Sequence, residues 1–97
     1  MILDFGDEAT ADIFDGVRSK AARRCLPQPL WATARRKLDR LDLATELRDL
    51  ADPPGNRLES LEGDHEGYFS IRVNDQFRVV FRFDRGDARE IQIVDYH

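Results

Sequence analysis

The spacing of apolar residues predicts helices in the first half of the chain. Residues 2–5 form a short apolar start that suits an edge or joining strand. Asp7 and Glu8 then begin a helical stretch, at the end where the helix dipole favours negative charge. A second helix is expected from about Leu30, and its apolar face consists of Trp31, Ala34, Leu38 and Leu41. The apolar register shifts after this helix, which predicts a bend near Asp42.

The second half of the chain has the pattern of strands. Residues 52–56 contain two prolines and a glycine, and they end the helical half. The segments expected to form strands are residues 57–61, 68–74, 77–83 and 88–96. Residues 74–76 and residues 84–87 predict the two hairpin turns. Helices followed by an antiparallel meander give an α+β fold, with N-terminal helices packed on a small sheet.

Length, composition and cysteine content narrow the class of protein. Ninety-seven residues, of which 41% are hydrophobic, suffice for a single domain over residues 1–97 with one modest core. One cysteine, Cys25, excludes an internal disulfide framework and favours a reducing compartment. No apolar run is long enough for a signal peptide or a membrane span. We therefore expect a cytoplasmic protein that does not contact a membrane.

The end of the last predicted strand carries three groups that could work together. They are Asp95, Tyr96 and His97. A histidine changes charge near neutral pH, so the His97 imidazole is the best candidate for an acid or a base. Arg78 is expected to share a strand face with Arg82, opposite the face of phenylalanines and valines. An arginine fork binds phosphate better than other side chains do, so Arg78 is a candidate phosphate ligand.

Three segments, in this order, resemble the HigB toxins, the plasmid-maintenance killer branch of the RelE/ParE toxin superfamily. They are residues 56–61 (NRLESL), 70–78 (SIRVNDQFR) and 93–97 (IVDYH). The resemblance covers the chain from about Arg36 to its end, and the first helix only loosely. It implies the RelE-like microbial ribonuclease toxin fold and the toxin of a type II toxin–antitoxin system. Such a toxin enters the ribosomal A site, cuts mRNA there and stops translation.

The resemblance also implies a set of site residues. Those expected to act in catalysis are His97, Tyr96, Asp95, Arg78 and Glu59. Attack of a 2′-hydroxyl on RNA needs a base, a cation at the phosphate and an acid for the leaving oxygen, and it requires no metal. Some HigB members have a histidine and a lysine in the segment equivalent to residues 58–62, where this chain has Glu59 and Glu62. Glu59 is a credible general base, whereas Glu62 removes positive charge beside the RNA.

Further basic residues are candidates for RNA contact. Arg72, Arg57 and Arg82 are expected to contact the RNA itself. The basic residues within 18–24 and 35–40 could contact ribosomal RNA, or could form the solvated faces of helices. No metal or other cofactor is expected, because the two histidines share no ligand spacing with the cysteine. The net charge of −4 is unusual for an RNA-binding protein, so either basic groups share one face or the partner supplies the electrostatics.

The expected partners follow from the resemblance. They are a HigA-like helix-turn-helix antitoxin, the ribosome with its mRNA, and operator DNA reached only through the antitoxin. Two alternatives remain open at this point. One is a ParE-like toxin that poisons gyrase, which the Asp-Tyr-His ending argues against. The other is a catalytically weakened member that acts as an antitoxin-binding co-repressor, which the departures at Glu59 and Glu62 keep open.

Overall fold

The computed structural model describes residues 1–96, in which three α-helices precede a four-stranded sheet. The helices are α1 (Glu8–Asp15), α2 (Lys20–Cys25) and α3 (Trp31–Leu43). The strands are β1 (Glu59–Ser60), β2 (Phe69–Arg72), β3 (Phe77–Asp84) and β4 (Asp87–Asp95). The strands pair in the order β1–β2–β3–β4, and each pairing is antiparallel. The predicted α+β fold is therefore confirmed.

Side-chain caps define where the first two helices begin. The Asp7 carboxylate accepts a hydrogen bond of 2.8 Å from the backbone N–H of Thr10 at the start of α1. The Ser19 hydroxyl accepts one of 3.0 Å from Ala22 at the start of α2. α2 overlaps the basic run of residues 18–24, and the sequence pattern did not indicate a separate helix there. Six residues are too few to display a helical period of apolar positions.

The third helix supplies the apolar surface on which the sheet packs. Its buried residues are the four predicted ones, Trp31, Ala34, Leu38 and Leu41. The helix ends at Leu43, and a 3₁₀ turn follows at Leu47–Ala51. This break confirms the predicted bend near Asp42. The Asp42 carboxylate also accepts a 2.8 Å hydrogen bond from the backbone N–H of Ile2, which ties the chain start to the helix.

The two faces of the sheet have different environments. The face toward the helices, called the core face below, is largely buried and consists mainly of Ile71, Val79, Phe81, Ile91 and Ile93. The opposite face, called the outer face, carries Glu59, Ser70, Arg72, Arg78, Val80, Arg82, Gln92 and Val94. Alternation along each strand separates the two sets, because successive side chains of a strand point to opposite sides.

A β-bulge interrupts the pairing of β3 with β4. The register shifts between Val80 and Arg82, and Glu90 has a left-handed φ of +52°. As a result Ala88 and Ile91, three residues apart, are both buried. The short apolar start of the chain forms isolated parallel bridges to these same two residues, through Ile2 and Phe5, rather than a full edge strand.

Candidate active site on the outer face of the sheet

Arg78 lies at the centre of the outer face. It pairs with Arg72 on β2 and with Val94 on β4, on the face that the sequence predicted. Only 8% of the residue is exposed, however, so it is not on a solvated surface. Its Nη2 donates a hydrogen bond to the carbonyl oxygen of Arg57, and its Nη1 lies 3.4 Å from a carboxylate oxygen of Glu59. The structure thus brings three predicted site residues together.

The other side of the Arg78 guanidinium contacts the C-terminal strand end. Its Cζ lies 5.6 Å from the centroid of the Tyr96 ring, within the range of a cation–π interaction. The Nε–H of Arg78 is buried and has no hydrogen-bond partner among residues 1–96. A buried donor without a partner is destabilising. An anion that reached this guanidinium would therefore gain a donor that residues 1–96 leave unused.

The end of β4 is attached to the turn between β2 and β3. The side-chain amide of Gln76 donates a 3.0 Å hydrogen bond to the Asp95 carboxylate, and the backbone N–H of Tyr96 donates to the Gln76 carbonyl. These bonds fix the strand end, where the Tyr96 ring contacts Arg78 and Asp95 pairs in register with Phe77. Tyr96 is 42% exposed, so its ring can contact an incoming ligand. His97 lies outside the described residues, and its predicted role stays a prediction.

A cavity of about 350 Å³ extends from Tyr96 along the outer face of β4. Its apolar floor is formed by Leu61, Val80 and Val94. Its polar lining follows β4 from Glu90 through Gln92 to Asp95 and Tyr96, and it includes Tyr68 and His65 from the neighbouring segment. We call it the outer-face cavity. Two of the candidate catalytic residues, Asp95 and Tyr96, line it, and the Tyr96 ring also contacts Arg78.

Arg82 lies beyond the far end of the outer-face cavity, where it pairs with the lining residue Glu90. Its Nε lies 3.2 Å from one carboxylate oxygen of Glu90, and the Tyr68 hydroxyl donates a 3.0 Å hydrogen bond to the other. The Arg82 guanidinium also lies over the Tyr68 ring, 4.9 Å from its centroid. The structure therefore separates Arg82 from Arg78, although both were expected to contact RNA on one strand face.

Arg72 and Arg57 lie on the opposite side of Arg78. The Arg72 guanidinium donates to the Asp75 carboxylate, and this hydrogen bond, together with the charges of Arg72 and Arg57, lowers the pKa of Asp75. The charge of Arg72 also affects Lys37 on α3. Burial lowers the pKa of Lys37, and the charges of Arg40, Arg36 and Arg72 lower it further. The basic run of α3 and the predicted RNA-binding arginine of β2 thus form one basic surface, consisting of Arg36, Lys37, Arg40, Arg57 and Arg72.

Sequence reasoning missed the polar end of the cavity. Glu90 and Gln92 were not among the predicted site residues. The available signal was the spacing of apolar residues in β4, because Ala88, Ile91 and Ile93 break the alternation and indicate a bulge. His65 is exposed, and its ring makes an edge contact with Tyr68 at 6.2 Å between centroids.

The part of the chain that the structure describes carries neither a cluster of metal ligands nor a membrane-spanning helix. No three His, Cys, Asp or Glu side chains within residues 1–96 are grouped as a metal site would require. In the same part of the chain, no helix has both the length and the apolar character to cross a membrane.

Comparison with known proteins identifies the family. The sequence model of the RelE-like toxin of type II toxin–antitoxin system HigB matches residues 4–97. Toxin HigB-1 of Vibrio cholerae is 39% identical over 88 residues, which are 91% of this chain and 90% of that protein. Endoribonuclease HigB of Proteus vulgaris is 41% identical over 61 residues, 63% of this chain and 65% of that one. The match at residues 4–97 includes the first helix, which resembled the family only loosely.

A solved structure gives an independent comparison of the fold. The YoeB–YefM complex from Staphylococcus aureus contains a chain that superposes with a TM-score of 0.61 at 16% identity, covering 100% of this chain and 95% of that one. The fold is therefore that of RelE-like toxins. Together with the sequence matches, this places the chain in the family of HigB toxins of type II toxin–antitoxin systems. Its partner is accordingly an antitoxin, and no comparison favours the gyrase-poisoning alternative.

Proposed function

We propose that this protein is an endoribonuclease that cuts mRNA in the ribosomal A site and thereby stops translation. One observation carries the proposal: the buried Arg78 guanidinium contacts Glu59 on one side and the Tyr96 ring on the other, and Tyr96 also lines the outer-face cavity. A cation, a carboxylate and a phenol in contact are suited to phosphodiester cleavage. The relative from Proteus vulgaris bears the name Endoribonuclease HigB.

In the proposed mechanism, the scissile phosphate takes the place of Glu59 on Arg78. The Arg78–Glu59 contact is long, at 3.4 Å, and half of the Glu59 side chain is exposed, so an incoming phosphate can displace it. The phosphate would then pair with the guanidinium, including the Nε–H for which residues 1–96 supply no partner. Charge that develops on the phosphate oxygens in the transition state is stabilised by the same arginine.

Displacement would also free Glu59 to act as a base. Its carboxylate then lies beside the phosphate, where it can remove the proton of the attacking 2′-hydroxyl. The leaving 5′-oxygen needs a proton, and we assign its delivery to His97, with Asp95 orienting that group and Tyr96 contacting the nucleotide. The products of this reaction are a 2′,3′-cyclic phosphate and a free 5′-hydroxyl.

The charge of the chain supports dependence on the ribosome. A ribonuclease that gathers RNA from solution benefits from a strongly basic surface, whereas this chain has a net charge of −4. Acidic residues crowd the loop beside the site: Glu59, Glu62, Asp64 and Glu66. The basic surface of α3 and β2 is suited to ribosomal RNA, and on the ribosome the mRNA is already fixed. The toxin then contributes mainly positioning and charge.

The test is cleavage of a labelled transcript by the purified, antitoxin-free protein, with and without programmed ribosomes. We expect cuts inside the coding region only when ribosomes are present, with 2′,3′-cyclic phosphate ends. His97→Ala should abolish these cuts. Arg48→Ala, a change at an exposed residue of the 3₁₀ turn Leu47–Ala51, should leave them unchanged. An mRNA that stays intact on programmed ribosomes with the parent protein would contradict the proposal. Equal cleavage without ribosomes would contradict ribosome dependence alone.

We further propose that the cognate antitoxin is HigA-like, with a helix-turn-helix domain that carries the pair to operator DNA in the cytoplasm. The antitoxin would bind the helical half, where residues 18–24 and 35–40 present cations to an acidic partner. Association should then slow as ionic strength rises, and hydrogen exchange should slow in α2 and α3. An association rate that is independent of salt, or protection confined to β4, would contradict this footprint.

A further inference from the structure

We infer that the far end of the outer-face cavity is a nucleobase site that selects bases with an exocyclic amino group over uracil. The inference rests on the proposed function, because it concerns the nucleotide next to the phosphate that Arg78 would hold. The residues that carry it are Tyr68, Glu90 and Gln92. The catalytic assignment uses none of these three.

The shape and lining of the cavity suit one flat aromatic ring. Its volume of about 350 Å³ is at the small end of ligand sites. Leu61, Val80 and Val94 provide an apolar floor, and Tyr68 provides an aromatic wall on which a base can stack. None of the described lining residues is a lysine or an arginine, so the cavity does not attract a phosphate. The phosphate and the base therefore have separate places, at Arg78 and in the cavity.

The polar groups at this end mainly offer acceptors. The Glu90 carboxylate is held from both sides, by the Tyr68 hydroxyl at 3.0 Å and by Arg82 at 3.2 Å. Glu90 lies at the bulge, and its backbone N–H donates a hydrogen bond to the Asp4 carboxylate. The bulge and this hydrogen bond together set the direction of the Glu90 side chain. A carboxylate attracts the amino groups of adenine, cytosine and guanine, and it repels the O4 carbonyl of uracil.

Gln92 is held in the cavity by a residue without a side chain. Its amide donates a 3.2 Å hydrogen bond to the carbonyl oxygen of Gly6. A Cβ at Gly6 would lie only 2.7 Å from the Gln92 Cγ, so the glycine is what allows the Gln92 side chain its place. An amide fixed in this way can pair with a base edge, as glutamine does with adenine.

Cleavage on ribosomes programmed with transcripts that differ in one base next to the cut bond tests the selection. The parent protein should cut the A, C and G transcripts about ten-fold faster than the U transcript at one such position. Glu90→Gln, which replaces the carboxylate by an amide, should bring this ratio close to one, and Gly6→Ala should lower it because the new methyl displaces Gln92. Arg48→Ala, at an exposed residue outside the cavity, should keep the parent ratio. A parent ratio close to one at every flanking position, or one that survives both cavity variants in folded proteins, would overturn the inference.

A binding measurement separates the inference from the proposed function. A 2′-O-methyl trinucleotide cannot be cut by 2′-hydroxyl attack, so amide chemical shifts can be followed during its titration into the full chain. An adenine-containing trinucleotide should shift the Gln92 and Tyr68 signals at lower concentration than its uracil counterpart. That result in a protein that cuts no mRNA would support the base site while refuting the nuclease. Equal shifts with both trinucleotides would overturn the base site, whatever the cleavage assay gives.

Discussion

The same four strands form both faces of the sheet, but burial has a different consequence on each face. On the core face, Ile71, Val79 and Phe81 are fully buried in the hydrophobic core, and their side chains need no hydrogen-bond partners. On the outer face, Ser70 and Arg78 are also buried, yet each retains a polar atom without a hydrogen-bond partner among residues 1–96. Burial therefore stabilises the fold on one face, and on the other it keeps polar groups ready for a ligand.

The largest effect should come from the core face. Phe81→Ala removes a fully buried ring that packs against Phe69 and Phe83, and it should lower the free energy of unfolding by about 3–5 kcal/mol. Urea unfolding followed by circular dichroism measures this loss. Arg89→Ala, on the exposed part of β4, should change the same quantity by less than about 0.5 kcal/mol. Similar losses in the two variants would mean that the core face is not the main source of stability.

The next effect concerns the one cysteine, which packs behind the core face. The Cys25 thiol contacts the Ile93 carbonyl oxygen, and burial, followed by the charge of Asp7, raises its pKa from 9.0 to about 11. The thiolate is the reactive form, so alkylation at pH 8 should be at least about ten-fold slower in the folded protein than in urea. The raised pKa also means that its contribution to stability is present below pH 9 and is lost as the pH rises toward 11. Equal alkylation rates would contradict this assignment.

The smallest effect should come from the outer face, and its sign should be opposite. Ser70→Ala removes a fully buried hydroxyl that has no hydrogen-bond partner in the described chain, so the variant should be more stable by up to about 1 kcal/mol. Ser60→Ala, at an exposed position of β1, is the matched control and should be neutral. If Ser70→Ala unfolded as readily as a core variant, the contrast between the faces would fail.

Much of this contrast could be predicted from the sequence. The alternation in β3 assigned Phe81 to the core face and Arg78 to the outer face, and both assignments are confirmed, because the period of two is set by the backbone. The burial of Arg78 could not be predicted in this way. It depends on Arg57 and Tyr96, which reach the arginine from segments distant in the chain.

The bulge at Glu90 shows a second limit of sequence patterns. A left-handed φ at a non-glycine residue leaves no local signature, apart from the spacing of the flanking apolar residues. The end of the cavity formed by Glu90 and Gln92 therefore emerged only from the structure. The sequence also did not indicate that the charge of Arg72 lowers the pKa of Lys37, because α3 and β2 meet only in the folded chain.

The central claim is that the outer face carries the chemistry, and one measurement tests it most directly. Arg78→Ala and Arg89→Ala each remove one arginine, from the buried centre of the outer face and from an exposed position. The rate of mRNA cleavage on programmed ribosomes should fall at least about 100-fold in Arg78→Ala and should stay close to the parent rate in Arg89→Ala. Thermal unfolding verifies that both variants are folded. A folded Arg78→Ala variant that cuts mRNA as fast as the parent would contradict the claim.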